Sequence, residues 1–265
     1  MKKSLALILS AAMMAGMAAP VCAEENLTFA VEAGSAGEAV AEELGYQYNS
    51  VASQADALME VKAGTSDAAI IDLLMAGAMI GEGTSYPDLT YTDELTTEEY
   101  GVGCRKGSDF AEVINMLFAA AYEDGVMQEI AEEYGVQEAL VEQPQVTDEE
   151  VDAFVEALDP EGDTVAIMAK GTMIVGITDF APMDYKDENN EWIGFDADMA
   201  KLVAEALGIE VEFVEIDWDN KIMELEAGNI DCVWNGMTLT DEVKNAMECS
   251  VAYCNNAQVI VVPAE

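Results

Sequence analysis

From residue 27 onward, short apolar runs alternate with amphipathic stretches, and most of the junctions carry a glycine. Residues 27–31 read as a strand followed by Gly34, and 38–44 as a helix closed by Gly45. Residues 46–51 read as a second strand. Residues 55–63 form a helical pattern with Gly64 just past its end, where the left-handed conformation favours glycine. Residues 67–71 form a buried strand, and the apolar run 73–80 reads as helix. Strand and helix in alternation predict a parallel sheet with helices on its faces. The pattern recurs near the C-terminus. A strand at 173–177 precedes a helix at 198–207, with Met199, Leu202, Val203 and Ala206 on one face and Gly208 as its stop. Alternating residues 210–214, a helix at 220–227 stopped by Gly228, and a strand at 230–234 follow.

The halves share wording. Met59-Glu60-Val61-Lys62-Ala63-Gly64 precedes Asp67, and Met223-Glu224-Leu225-Glu226-Ala227-Gly228 precedes Asp231 at the same spacing. Two similar α/β lobes are therefore expected. Between them lie a strand candidate at 100–105 and a helical stretch from 110 to 134. A connector helix at 146–158 has Thr147 and Glu150 spaced as a capping box, and Val151, Phe154, Val155 and Leu158 on one face. Asp159-Pro160-Glu161-Gly162 reads as a turn.

Composition narrows the function. Lys2 and Lys3 followed by an apolar stretch to Met17 read as an export signal at 1–23, too short to span a bilayer. Val21-Cys22-Ala23 offers a peptidase site before Glu24; lipidation of Cys22 is the alternative, against which Val21 stands where a small residue is expected. The expected location is periplasmic or extracellular. Ten Lys and Arg against 53 Asp and Glu give a charge of −43, which excludes nucleic-acid partners and disfavours anionic membranes. At 51% apolar residues the chain is not a disordered acidic tail. With no histidine, the usual neutral-pH base and the commonest metal ligand are missing, and neither a cofactor nor a metal is expected. Cys104, Cys232, Cys249 and Cys254 read as small buried hydrophobes, with a short-loop Cys249–Cys254 disulfide as the alternative.

Several words then resemble one family. They include Asp179-Phe180-Ala181-Pro182, Gly194-Phe195-Asp196-Ala197-Asp198-Met199-Ala200, Gly228-Asn229-Ile230-Asp231 and Gly236-Met237-Thr238-Leu239-Thr240. The other lobe adds Val31-Glu32-Ala33-Gly34-Ser35, Asp67-Ala68-Ala69-Ile70-Ile71-Asp72 and Thr96-Thr97-Glu98-Glu99-Tyr100-Gly101-Val102. The chain resembles the family 3 extracellular solute-binding proteins, which feed polar amino acids to ABC importers. The resemblance implies an α/β, two-lobe periplasmic-binding-protein-like (type II) clamshell, each lobe a sheet flanked by helices. Its segments occur in exchanged order, as in a circular permutation: the one resembling the family's N-terminal part, 162–265, comes last. The expected division is lobe 2 at 24–98 and lobe 1 at 99–265, the latter holding a hinge strand at 99–106, helices to about 143 and the connector. The hinge strands implied are 258–262 and 99–105, paired with each other. With the first one cut, a single tether joins the lobes. A monomer is expected, with a swapped dimer as the alternative.

The same resemblance implies a site between the lobes. Phe180 and Trp218 offer flat rings for a ligand side chain. Gly236 and Thr238 offer a carbonyl, an amide and a hydroxyl, and Asp72 a carboxylate for an ammonium group. Ser35 and Ala36 open a helix whose N–H groups attract an anion. Each has a plainer reading, as a core aromatic or, for Asp72, as a helix cap. One departure stands out: Val243 occupies the place of the family's carboxylate-binding arginine. The expected function is capture of a small polar, amino-acid-like ligand for an ABC importer. The alternatives are a sensor without a transporter, a dehydratase-like enzyme, and a silent remnant. No catalytic residue is nominated, because the chain has no nucleophile elbow and Gly101–Gly107 misses the dinucleotide spacing.

Overall fold

The computed structural model describes residues 27–264; the expected export signal and Cys22 lie outside them. The chain divides into two compact units, one holding the described residues up to Thr96 together with those from Gln258 onward, the other Thr97–Ala257.

Unit 1 opens with β1 (Thr28–Glu32), α1 (Ala36–Leu44), β2 (Gln47–Val51), α2 (Gln54–Ala63), β3 (Ala68–Asp72), α3 (Leu73–Met79) and β4 (Leu89–Tyr91). Ser35 and Ser53 cap α1 and α2, each hydroxyl accepting an N–H three residues on, and Gly45 and Gly64 end them at φ 71° and 73°. Unit 2 runs through β5 (Glu98–Tyr100), β6 (Gly103–Cys104), α4 (Phe110–Glu123), α5 (Val126–Tyr134), α6 (Asp148–Ala157) and α7 (Asp163–Lys170). It continues with β7 (Thr172–Ile177), β8 (Tyr185–Lys186), β9 (Trp192–Ile193), α8 (Phe195–Leu207), β10 (Glu210–Glu215) and α9 (Lys221–Glu226). It closes with β11 (Cys232–Val233), α10 (Asp241–Ala246), β12 (Glu248–Cys249) and β13 (Cys254–Asn256), after which β14 (Gln258–Pro263) returns to unit 1.

Each unit is built on a five-stranded sheet, and the two sheets share one plan. Unit 1 runs β2-β1-β3-β14-β4 and unit 2 runs β10-β7-β11-β6-β12. In both, three parallel strands joined by helices are followed by an antiparallel strand from a remote part of the chain, and then by a fifth strand. The shared sequence wording falls at the same place in each, on the helix leading into the third strand. So does one hydrogen bond. Asp67 accepts the N–H of Thr28 at 2.9 Å, and Asp231 accepts that of Ile174 at 2.8 Å. The unit 2 copy is more deeply embedded. Asp231 is 6% exposed and also holds Lys170 at 2.5 Å and Arg105 at 3.6 Å. Arg105 itself reaches Asp163 at 3.0 Å and the carbonyl oxygen of Ile230 at 2.9 Å, so the protein's lone arginine ties β6 to α7 and β11.

Three sequence expectations change. The strand 258–262 does not pair with 100–105. It enters the unit 1 sheet between β3 and β4, while β5 pairs with β13, Tyr100 opposite Cys254. The reason is burial: Val259, Ile260 and Val261 are all buried, and a run apolar on both faces belongs inside a covered sheet rather than in a two-stranded ribbon. The boundary therefore falls at 96/97 and 257/258, and the chain passes between the units twice, not once. The stretch 110–134 is two helices, broken at Gly125 with φ 81°. The connector forms as α6, with the Thr147–Glu150 capping box in place, but it buries nothing, and Val151 and Val155 are 37% and 58% exposed.

The paired aspartates give a direct test. Asp231→Ala strips two cations and a backbone N–H of a buried partner and should cost about 2–3 kcal/mol in urea unfolding, toward the low end for a broken buried ion pair because both cations are partly exposed. Asp67→Ala removes one exposed hydrogen bond and should cost about 1 kcal/mol or less. Equal losses would show that the extra ion pairs of unit 2 contribute nothing.

Candidate functional site

In unit 2 the candidate residues converge on the loop that follows β11. Gly236 adopts φ 56°, and a Cβ built there would lie 2.4 Å from the ring of Phe180 and 3.1 Å from that of Tyr100. Backbone conformation and space both demand glycine. The Gly236 N–H donates to Asp196 Oδ2 at 2.6 Å. One residue earlier, Asn235 exchanges two hydrogen bonds with Thr178, at 2.9 Å to its N–H and 2.7 Å to its hydroxyl, fastening the loop after β11 to the loop after β7 that carries Phe180. On the far side Thr238 bridges Tyr100, Gly101 donates to the Met237 carbonyl at 3.0 Å, and Leu239 donates to that of Glu99 at 2.9 Å. The Thr238 hydroxyl donates to Glu98 at 3.1 Å, and the Asn256 amide reaches the same oxygen at 3.3 Å. Phe180, Gly236 and Thr238 are thus brought together, and Glu98, Tyr100 and Asn256 join them.

Trp218 is 7% exposed and packs with Leu225, Val233, Met237 and Val243. Its ring is faced by Lys221, whose Nζ lies 4.8 Å from the ring centroid and donates to the Trp218 carbonyl at 3.2 Å. Lys221 is 8% exposed, the one lysine buried among the described residues. The sequence reading passed over it, since a lysine opening a helix in an acidic chain reads as a solvated face. Val243 sits in the same apolar cluster, 4% exposed, so an arginine there would have to enter the core or reorient α10.

The expected residues of unit 1 are placed as follows. Ser35 caps α1, and its own N–H donates to the Glu32 carbonyl. Ala36 begins that helix, while Glu38 turns back to accept the Gly34 N–H at 2.7 Å. Asp72 stands at the cap position of α3 without making the side-chain cap bond. Its carboxylate is held by the amides of Gln54 and Gln258, the latter at 3.0 Å, and Gln258 lies opposite it in the β3–β14 register. A cavity of about 470 Å³ beside the connector, lined by Arg105, Ser108, Phe154 and Leu158 among others, touches none of the candidate residues.

Beneath the unit 2 loop lie two fully buried carboxyls. Asp196 takes the Gly236 N–H and the Tyr253 hydroxyl, the latter at 2.7 Å, on one oxygen, and no hydrogen-bond partner reaches either oxygen of Asp184. Burial pushes Asp184 well above the usual carboxylate range, and the neighbouring Asp196 charge pushes it further. Burial also raises Asp196, to about 7, against the opposing hydrogen bonds from Tyr253 and Gly236.

The fold is a two-unit α/β scaffold, and one segment of it resembles a known family. Residues 173–265 match the bacterial extracellular solute-binding proteins, family 3. The probable histidine-binding protein of Neisseria gonorrhoeae is 35% identical over 85 residues, 32% of each chain. The crystal structure of the arginine-bound form of domain 1 from TmArgBP is 30% identical, covering 35% of this chain and 84% of that one, with a TM-score of 0.30. Cyclohexadienyl dehydratase of Pseudomonas aeruginosa is 28% identical over 93 residues, 35% of each chain. Over residues 173–265 the chain is similar to the family 3 extracellular solute-binding proteins. It spans about a third of the length of the curated relatives it matches.

The carboxyl pair fixes a pH dependence. Both folded-state values lie above the ordinary 3.8, so folding takes up protons. This contribution to stability is complete below about pH 4 and is lost as pH rises through the folded value near 7. Asp184→Asn removes one of the two charges. It should raise Tm at pH 8 by roughly 2–4 °C and change it little at pH 4, by the usual scaling of Tm with free energy for a unit of this size. A lower Tm at pH 8 in thermal denaturation would contradict the claim that burial of the Asp184 charge is costly.

Proposed function

We propose that the protein is an exported binding protein that captures a small polar, amino-acid-like solute for an ABC importer. The observation that carries this reading is the anchored Gly236–Leu239 loop, where a backbone turn, a hydroxyl, a carboxylate and the Phe180 ring meet within the segment that matches the family. Such convergence of a few fixed polar groups on an aromatic surface is how small-molecule sites set orientation. We read Lys221, beside Trp218, as the positive charge that serves a ligand carboxylate in place of the family's arginine. Asp72, fixed by two glutamine amides, is read as a carboxylate that serves an ammonium group.

The protein acts by binding, not catalysis. One relative bears the name of a dehydratase. Against that reading, the candidate residues include no histidine, and Asp184 and Asp196, the strongly perturbed carboxyls, are fully buried where no substrate reaches them. The family's two segments occur in exchanged order in this chain. The match confined to 173–265 and the family-like words that precede it at 31–35, 67–72 and 96–102 support that order. The export signal at 1–23 supports delivery outside the cytoplasm.

Thermal shift against amino acids, polyamines and small dicarboxylates tests the reading. At a hundredfold excess over Kd, a ligand specific to the folded state adds about 2.7 kcal/mol and raises Tm clearly. The expected responder is a polar amino acid or close relative. Thr238→Val should weaken its binding by roughly tenfold, the effect of one lost hydrogen bond to a charged group, and Lys221→Met should weaken ligands that carry a carboxylate more than those that do not. A panel without any responder, or a responder indifferent to both substitutions, contradicts the proposal.

A further inference from the structure

Two cysteines of unit 2 face one another across the sheet. Cys104 on β6 and Cys232 on β11 are direct partners in the antiparallel ladder, and both are 0% exposed. Directly opposed residues project from the same face with Cα atoms roughly 4.5–5.5 Å apart. A disulfide spans Cα separations of about 4.4–6.8 Å. The other described cysteines are excluded by the same register. Cys249 lies opposite Gly103, one residue out of step, and so faces the other side of the sheet, in the Trp218 cluster. Cys254 lies on β13, in a separate two-stranded ribbon.

We propose that Cys104 and Cys232 form a cross-strand disulfide when the chain folds in the presence of a small-molecule disulfide. The chemistry balances. A thiolate of one cysteine attacks the external disulfide, forming a mixed disulfide and releasing one small thiol. The second cysteine then attacks the protein sulfur of that mixed disulfide and releases the other. The two protein thiols lose two protons and two electrons in total, and the external disulfide is reduced to two thiols. The bond forms before the sheet closes, because in the folded state burial keeps both thiols protonated and out of reach. Once made, it fastens β6, the one antiparallel strand inserted between β11 and β12, to the strand that leads into the Gly236–Leu239 loop.

The test is to unfold and reduce the full chain, then refold it in parallel with a reduced/oxidised glutathione mixture and with reductant alone. Each sample is alkylated in denaturant, weighed intact and mapped by peptides. The expected result is two fewer alkyl groups in the glutathione sample and one linked peptide pair holding Cys104 and Cys232. Its Tm should fall by about 10 °C on reduction, the scale for releasing a loop of this size. In the Cys104→Ser/Cys232→Ser variant that fall should vanish. Equal alkylation in both samples, or a linkage through Cys249 or Cys254, overturns the proposal. Because the oxidation is done in vitro, the outcome does not depend on export or on the binding function.

Discussion

The hydrogen bond from the Gly236 amide to the buried Asp196 carboxylate is the constraint on which the rest of unit 2 depends. To receive that N–H, Asp196 must lie where water cannot reach, and an isolated charge there is costly. The surroundings answer that cost. Tyr253 gives a second donor, and burial together with the neighbouring Asp196 charge holds Asp184 toward its neutral form. Tyr253 in turn touches Tyr100, Phe118 and Phe195, so the aromatic layer that supports the carboxylate also walls the loop. The glycine is then fixed from both sides, by its positive φ and by the Phe180 ring in the space a Cβ would take.

The two sheets show how a chain can repeat one plan with different connections. Each takes three parallel strands from one continuous stretch and borrows its antiparallel strand from elsewhere: β14 in unit 1, β6 in unit 2. Neither sheet is complete until a remote segment arrives: unit 1 is closed by a strand that follows all of unit 2 in the chain, and unit 2 by one from its own N-terminal end. The price in loop-closure entropy grows only slowly with length, which lets such distant insertions persist. The matching aspartates at the start of β3 and β11 pin the same strand junction in both copies.

Much of this was legible in the sequence because it is local. Glycine stops at 45, 64 and 208 and the Thr147–Glu150 box depend on short-range backbone chemistry, and all appear where the residues indicated. The partnership of β14 was misplaced, since pairing between remote strands leaves no mark in either strand's own pattern. The helix α7 was missed because its eight residues follow a proline–glycine turn and lack a clean apolar stripe. The site was legible residue by residue through family-like words, but its supports were not. Asp184, Lys221 and Glu98 read as three more charges in a chain of net −43 until the fold buries or pairs them.

The central claim is that the Gly236–Leu239 loop is where a ligand is held. Amide NMR of labelled protein titrated with the ligand that gives the largest thermal shift tests this most directly. The account predicts that the Gly236 and Thr238 amides, together with that of Phe180, move early and saturate with the binding curve. A ligand that binds while these three amides stay still, with its shifts clustered around the cavity beside the connector or elsewhere, would contradict it.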